Sequence, residues 1–124
     1  MTIDVRIDAD SPVAPYEQVR TRIAALAADG ALPAGTRLPP VRTLAVQLGL
    51  AVNTVARAYR ELESAGLVQT RGRQGTVVTA RAAGVPVEAQ LLARRYAQDS
   101  AALGVAPQTA LDLVRAALDL PGGE

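Results

Sequence analysis

The stretch Leu38–Thr79, LPPVRTLAVQLGLAVNTVARAYRELESAGLVQTRGRQGTVVT, restricts the folds open to this chain more than any other part of it. A short apolar-periodic helix opens at Pro39-Pro40 and runs to about Leu48, with Leu44, Ala45 and Leu48 inward. Gly49 makes a turn. A longer helix follows from near Val52 to Ser64, and Val55, Ala58, Tyr59 and Leu62 form its buried stripe. Gly66 stops that helix, and Leu67 can pack back on its end. Leu67–Thr70 and Thr76–Thr79 read as two strands around a tip, Arg71-Gly72-Arg73-Gln74-Gly75. Helix, turn, helix and hairpin in this order make a helix-turn-helix with a β-wing, a shape suited to duplex DNA.

Composition narrows the chemistry. The chain of 124 residues is 49% hydrophobic but only 2% aromatic, with no Phe, Trp, Cys or His. Its core must come from Leu, Val, Ile and Ala, which suits closely packed helices. Without cysteine there is no disulfide or thiolate metal site. Without histidine, a zinc site or a His-based catalytic relay is excluded as well. Ser11, Ser64 and Ser100 are the only serines, and none has a neighbouring base to activate it. An enzyme is therefore not expected, nor a cofactor. No run of about 18 apolar residues suggests a membrane span. The acidic start, MTIDVRIDAD, lacks the order of a signal peptide, so a cytoplasmic protein is expected.

The net charge of +1 conceals a pattern. Residues 42–81 carry six Arg and two Glu, for +4, whereas residues 1–41 sum to −1 and residues 82–124 to −2. The basic block coincides with the helix-turn-helix and wing, as phosphate contact requires. A solvated face with scattered Arg would give the same sum.

Outside that block, Thr2–Ile7 alternates apolar and polar and reads as a short strand or an extended arm. A helix starts near Pro15, where proline is tolerated in the first turn. Tyr16, Val19, Ile23 and Leu26 form its stripe, so Tyr16, like Tyr59, reads as core. Asp29-Gly30 ends it. Arg81–Val85 reads as a linker. Two more helices follow, Pro86–Leu103 with Gly104 as stop and Pro107–Leu118 closed by Pro121-Gly122-Gly123.

On the longer helix of the central block, Asn53, Thr54, Arg57 and Arg60 lie outside the apolar stripe. Asn53 and Thr54 share a face with Arg57 at spacings of four and three. Asn can pair with adenine and Arg with guanine through two hydrogen bonds each. Thr54, near the helix N-terminus, suits a phosphate. Arg60 can reach phosphate or pair with Glu61 or Glu63. Arg42, on the shorter helix, can reach the groove edge or backbone, or remain an ordinary surface arginine. In the tip, Gly72 and Gly75 permit positive φ and close approach. Arg71 and Arg73 beside them suit a narrow minor groove.

Five motifs in order then carry a family resemblance. They are P-Y-E-Q-V at Pro15–Val19, G-x-L-x-x-G at Gly30–Gly35 and L-P-x-x-R-x-L-A at Leu38–Ala45, then N-T-V-x-R-A-Y-x-x-L at Asn53–Leu62 and G-T-x-V at Gly75–Val78. Over about residues 12–79 the chain resembles the winged helix-turn-helix domain of the GntR family of bacterial transcriptional regulators. The short tail resembles the YtrA-like subfamily, whose small helical C-terminal region serves dimerisation. Members are typically repressors, often of operons for ABC transport systems. The resemblance implies DNA contact by Arg42, Val52, Asn53, Thr54 and Arg57, and by the wing residues Arg71, Gly72, Arg73, Gln74 and Gly75. Two positions depart from the family. Ala51 stands where a Ser or Thr cap is common, and Val52 stands where Arg or another polar residue is common. Val52 can meet a thymine methyl or merely pack.

The expected fold is thus mainly α with a small β-wing. Residues 1–80 form a winged helix-turn-helix DNA-binding domain with its N-terminal arm. Residues 81–124 form a linker and a short two-helix dimerisation region. The expected function is sequence-specific binding of a near-palindromic double-stranded operator by a homodimeric repressor, with a transporter operon as the target the resemblance suggests. The competing reading is a winged-helix protein-interaction module without DNA binding. The basic block and the polar outer face of the longer helix argue against it. No small-molecule effector is named by the sequence; the tail is too short for an obvious pocket, which leaves the dimer interface as a place for one.

Overall fold

The computed structural model describes residues 3–120, which gather into two compact units divided after Val87. The first contains helices α1 (Pro15–Ala28), α2 (Val41–Leu48) and α3 (Val52–Ser64), strands β1 (Val68–Thr70) and β2 (Thr76–Val78), and a short helix α4 (Ala80–Ala83). The second contains α5 (Val87–Ala102) and α6 (Pro107–Ala117).

The first core is built where the periodicity places it. Val19, Ile23 and Leu26 of α1, Leu44 and Ala45 of α2, and Val55, Ala58, Tyr59 and Leu62 of α3 are all buried in one cluster. Leu48 packs against its edge. Burial of such a stripe, and not intrinsic propensity, is what holds short helices in water. Gly49 turns the chain between α2 and α3 in the left-handed region, at φ 67°. Its amide donates to the Val46 carbonyl, and that of Leu50 to the Ala45 carbonyl.

Tyr16 departs from the expectation that it is core: it is only half-buried at the start of α1. The alternation at Ile3, Val5 and Ile7 makes an extended arm and not a strand. Ile3 and Val5 join the core, and the Gln47 side-chain amide donates to the Ile3 carbonyl at 3.0 Å. Thr2, the first residue of that alternation, lies outside the described residues.

β1 and β2 pair antiparallel with Val68 opposite Val78 and Thr70 opposite Thr76. The other edge of β2 is occupied too. Leu38 donates to the Thr76 carbonyl, Gly35 donates to that of Val78, and Val78 donates back to Thr36, each within 2.9 Å. The segment before α2 thereby anchors the wing, a pairing that local patterning does not reveal.

Where the sequence reads as a linker from Arg81, the structure forms α4. Thr79 caps it, accepting from the Ala82 amide at 3.2 Å and donating to the Gly66 carbonyl at 2.7 Å. Ala80 and Ala82 are buried, and α4 packs against α1. Four residues are too few to show a periodicity, so the capping threonine carries the signal.

In the second unit, Gly104 at φ 79° ends α5 and the chain returns as α6. The Tyr96 hydroxyl donates to the Ala110 carbonyl at 2.8 Å and ties the two helices together. Among its described residues only Ser100 is buried. Leu91, Leu92, Leu111 and Leu113 are exposed, and Tyr96, Ser100, Val105, Leu111 and Val114 line a groove of about 340 Å³. The Pro121-Gly122-Gly123 stop lies outside the described residues.

Candidate nucleic-acid interface

All ten residues singled out from the sequence belong to the first unit, on α2, on the first half of α3 and at the wing tip. The angle between α2 and α3 is set by the buried stripe and by one polar bond. The Tyr59 hydroxyl, on α3, donates to the Pro39 carbonyl just ahead of α2 at 2.6 Å. Burial pushes this phenol above its ordinary pKa range, so it remains a donor.

The opposite face of α3 is polar and open. Val52, Asn53, Arg57 and Arg60 are exposed, and Thr54 is half-buried. The first turn has Ala51 as its N-cap and no side-chain cap. Its leading backbone N–H groups therefore have no side-chain acceptor, which leaves them to water or to an anion. Arg42 is exposed on α2.

The arginines divide into two groups. Among the described residues of the basic block, Arg42, Arg60, Arg71, Arg73 and Arg81 form no ion pair. The pairing of Arg60 with Glu61 or Glu63 that the sequence allowed does not form. Glu61 accepts from Arg57, and Glu63 accepts from the Thr70 amide. Unpaired guanidinium groups keep their full charge and donor set for a polyanion.

Arg57 is the exception. Its Nε donates to Glu61 Oε2 at 3.1 Å, and its guanidinium carbon lies 3.7 Å from the centroid of the Tyr16 ring. Glu61 also approaches Arg20 at 3.9 Å, and Arg20 makes a bidentate pair with Glu17 at 2.8 and 2.9 Å. The hydrogen bonds from Arg20 hold the Glu17 carboxyl below the usual carboxylate range and push the Arg20 guanidinium up in turn. Spacing along α3 puts Arg57 beside Glu61, but nothing local announces Tyr16. The only trace in sequence is that Tyr16 belongs to the first of the five motifs.

The wing tip is a single turn of 3₁₀ helix, Gly72–Gln74. It is closed by Arg71 donating to the Gly75 carbonyl at 2.8 Å and Gln74 donating to that of Arg71 at 2.9 Å. Gly75 sits at φ 71°, ψ −146°, a region that side-chain-bearing residues avoid. The turn leaves Gly72, Arg73 and Gln74 exposed, while Arg71 is half-buried and donates to the Gln69 side chain at 3.1 Å.

This arrangement of helices and wing coincides with a known family pattern. The family described as bacterial regulatory proteins, gntR family, matches residues 15–78, from the first residue of α1 to the last of β2. The chain belongs to the GntR family. GntR proteins are DNA-binding regulators and not enzymes, and the fold here is their winged helix-turn-helix. The HTH-type transcriptional regulator Rv1152 of Mycobacterium tuberculosis is 56% identical over 75 residues, which are 60% of this chain and 62% of that protein. The HTH-type transcriptional repressor YtrA of Bacillus subtilis is 34% identical over 70% of this chain and 67% of its own length. Among solved structures, YtrA from Sulfolobus acidocaldarius, a GntR-family transcription factor, superposes with a TM-score of 0.59 and 30% identity. That match covers 78% of this chain and 97% of the other. The resemblance to YtrA-like GntR proteins is therefore found in sequence and in structure. Among the described residues, no helix is long and apolar enough to cross a membrane.

Proposed function

We propose that this GntR protein binds a near-palindromic operator as a cytoplasmic homodimer and represses transcription. One observation carries the reading: the open polar face of α3, with Asn53, Thr54, Arg57 and Arg60, lies in the same unit as an arginine-bearing wing. In each protomer α3 enters a major groove, where Asn53 and Arg57 meet base edges and Val52 meets a thymine methyl. Thr54 and the uncapped start of α3 hold a phosphate, and Arg42 reaches the groove edge. Arg71, Gly72, Arg73, Gln74 and Gly75 bring the wing to the flanking minor groove.

The dimer rests on the second unit, which begins at Glu88. Two helices with one buried side chain between them expose too much leucine to be stable alone. A partner copy would cover that surface. Repression is supported by the naming of the Bacillus subtilis YtrA as a repressor. A transport operon as target rests only on the YtrA-like resemblance of the sequence. The deciding experiment is selection of bound DNA from a random pool, followed by mapping the enriched site on the genome. An enriched inverted repeat upstream of a transport operon is the expected result. Enrichment of no sequence would favour a protein-interaction module.

A further inference from the structure

Tyr16 lies far from the recognition helix in sequence, yet its ring is the bed on which Arg57 rests. Two constraints act on that guanidinium. The Tyr16 ring covers one face, with the guanidinium carbon 3.7 Å from the ring centroid. Glu61 Oε2 takes the Nε proton at 3.1 Å. Glu61 is itself braced, since its other oxygen lies 3.9 Å from Arg20, which is locked to Glu17. The path runs from α1 through Arg20 and Glu61 to Arg57 and returns to α1 at Tyr16.

The consequence is one of donor inventory. A guanidinium has five N–H groups in a plane. Stacking occupies a face and no donor. Glu61 occupies the Nε donor alone, so the four Nη protons have no hydrogen-bond partner among the described residues, and the Arg57 side chain is 55% exposed. The Nη edge is the one left for a bidentate acceptor. An arginine fixed in this way surrenders less rotamer freedom on binding and cannot readily swing to a different acceptor.

We propose that Tyr16 is a specificity-determining positioning residue: with Glu61 it fixes Arg57 so that its Nη edge selects a guanine through O6 and N7. The inference rests on the DNA-binding reading above. It assigns Tyr16 no contact with DNA. Tyr16 acts through Arg57, and its effect falls on discrimination between bases more than on general affinity.

The test uses the full chain and the DNA site selected by the wild-type protein. Affinity is measured for that site, for a version with the Arg57-dependent G·C pair replaced, and for non-specific DNA. Tyr16→Leu keeps bulk but removes the π face, and it should cut the preference for the G·C pair about three- to tenfold. Non-specific binding and thermal midpoint should change little. Tyr16→Phe restores the face and should restore the preference. In an Arg57→Ala background, Tyr16→Leu should cost nothing further at that pair. Glu61→Gln, a change at a half-buried rim position that weakens the second constraint, should also lower the preference and serves if Tyr16→Leu fails to fold. A uniform loss across all three DNAs, or an equal loss with Arg57 absent, would overturn the proposal. A wild-type protein that enriches no site overturns the DNA reading, and this inference with it. An enriched site read equally well by Tyr16→Leu, or by Glu61→Gln where the leucine variant does not fold, overturns this inference alone.

Discussion

The Tyr59 hydroxyl donates to the Pro39 carbonyl across 2.6 Å, and this bond joins the middle of α3 to the chain just before α2. It spans the helix-turn-helix at a buried point, where an unmade hydrogen bond is costly. Tyr59→Phe should destabilise the protein by about 1–3 kcal/mol, because it leaves a buried carbonyl without its donor. Urea unfolding at constant m-value is the measurement.

The same residue predicts an alkaline limit. Burial raises the folded-state pKa of Tyr59 above its unfolded value. Its contribution is therefore complete below the unfolded value of about 10 and declines as pH rises beyond it. Stability should fall above about pH 10 by up to about 1.4 kcal/mol per pH unit from this group. Tyr59→Phe should lack that share of the slope; identical slopes in the two proteins would refute the assignment.

Arg42→Ala and Arg57→Ala should each remove about 1–3 kcal/mol of specific binding if they meet bases. Affinity for the operator should fall steeply with salt, as phosphate neutralisation demands. Titrations at several salt concentrations read both effects, and salt-insensitive binding would contradict the interface described.

Ala51 caps α3 with φ −65° and ψ 146°, a backbone that serine adopts without strain. Ala51→Ser should stabilise the protein by about 1 kcal/mol by accepting from the first-turn amides. If those amides hold a phosphate, the gain in thermal midpoint should come with no gain in DNA affinity. Parallel melting and binding curves separate the two.

Leu111 lines the groove in the second unit and is exposed. Leu111→Glu should shift the protein from dimer to monomer in sedimentation and weaken operator binding, while the first unit keeps its helical signal. A wild-type mass that stays monomeric at every concentration would remove the dimer from the proposal.

Much of the first unit's local structure was legible in the chain. The bounds of α3, the glycine stops at Gly49 and Gly66, and the two strands around an arginine-bearing tip all follow from spacing within a dozen residues. The linker reading at Arg81 missed α4 because a four-residue helix has no period to detect. The core reading of Tyr16 followed its stripe at i, i+3 and i+4, but a helix's first turn can leave that stripe before the core ends. There Tyr16 meets Arg57 instead.

Local order therefore came from the sequence: apolar period, proline starts and glycine stops constrain neighbouring residues through backbone geometry that needs no distant partner. The motif spacing identified the family for the same reason. The fold supplied what depends on residues remote in the chain. It set Gly35–Leu38 against β2, Ile3 against Gln47, and the Tyr16 ring beneath Arg57. Such contacts exist only once the apolar stripes of α1 and α3 have packed, because burial fixes which polar side chains then face each other at the rim.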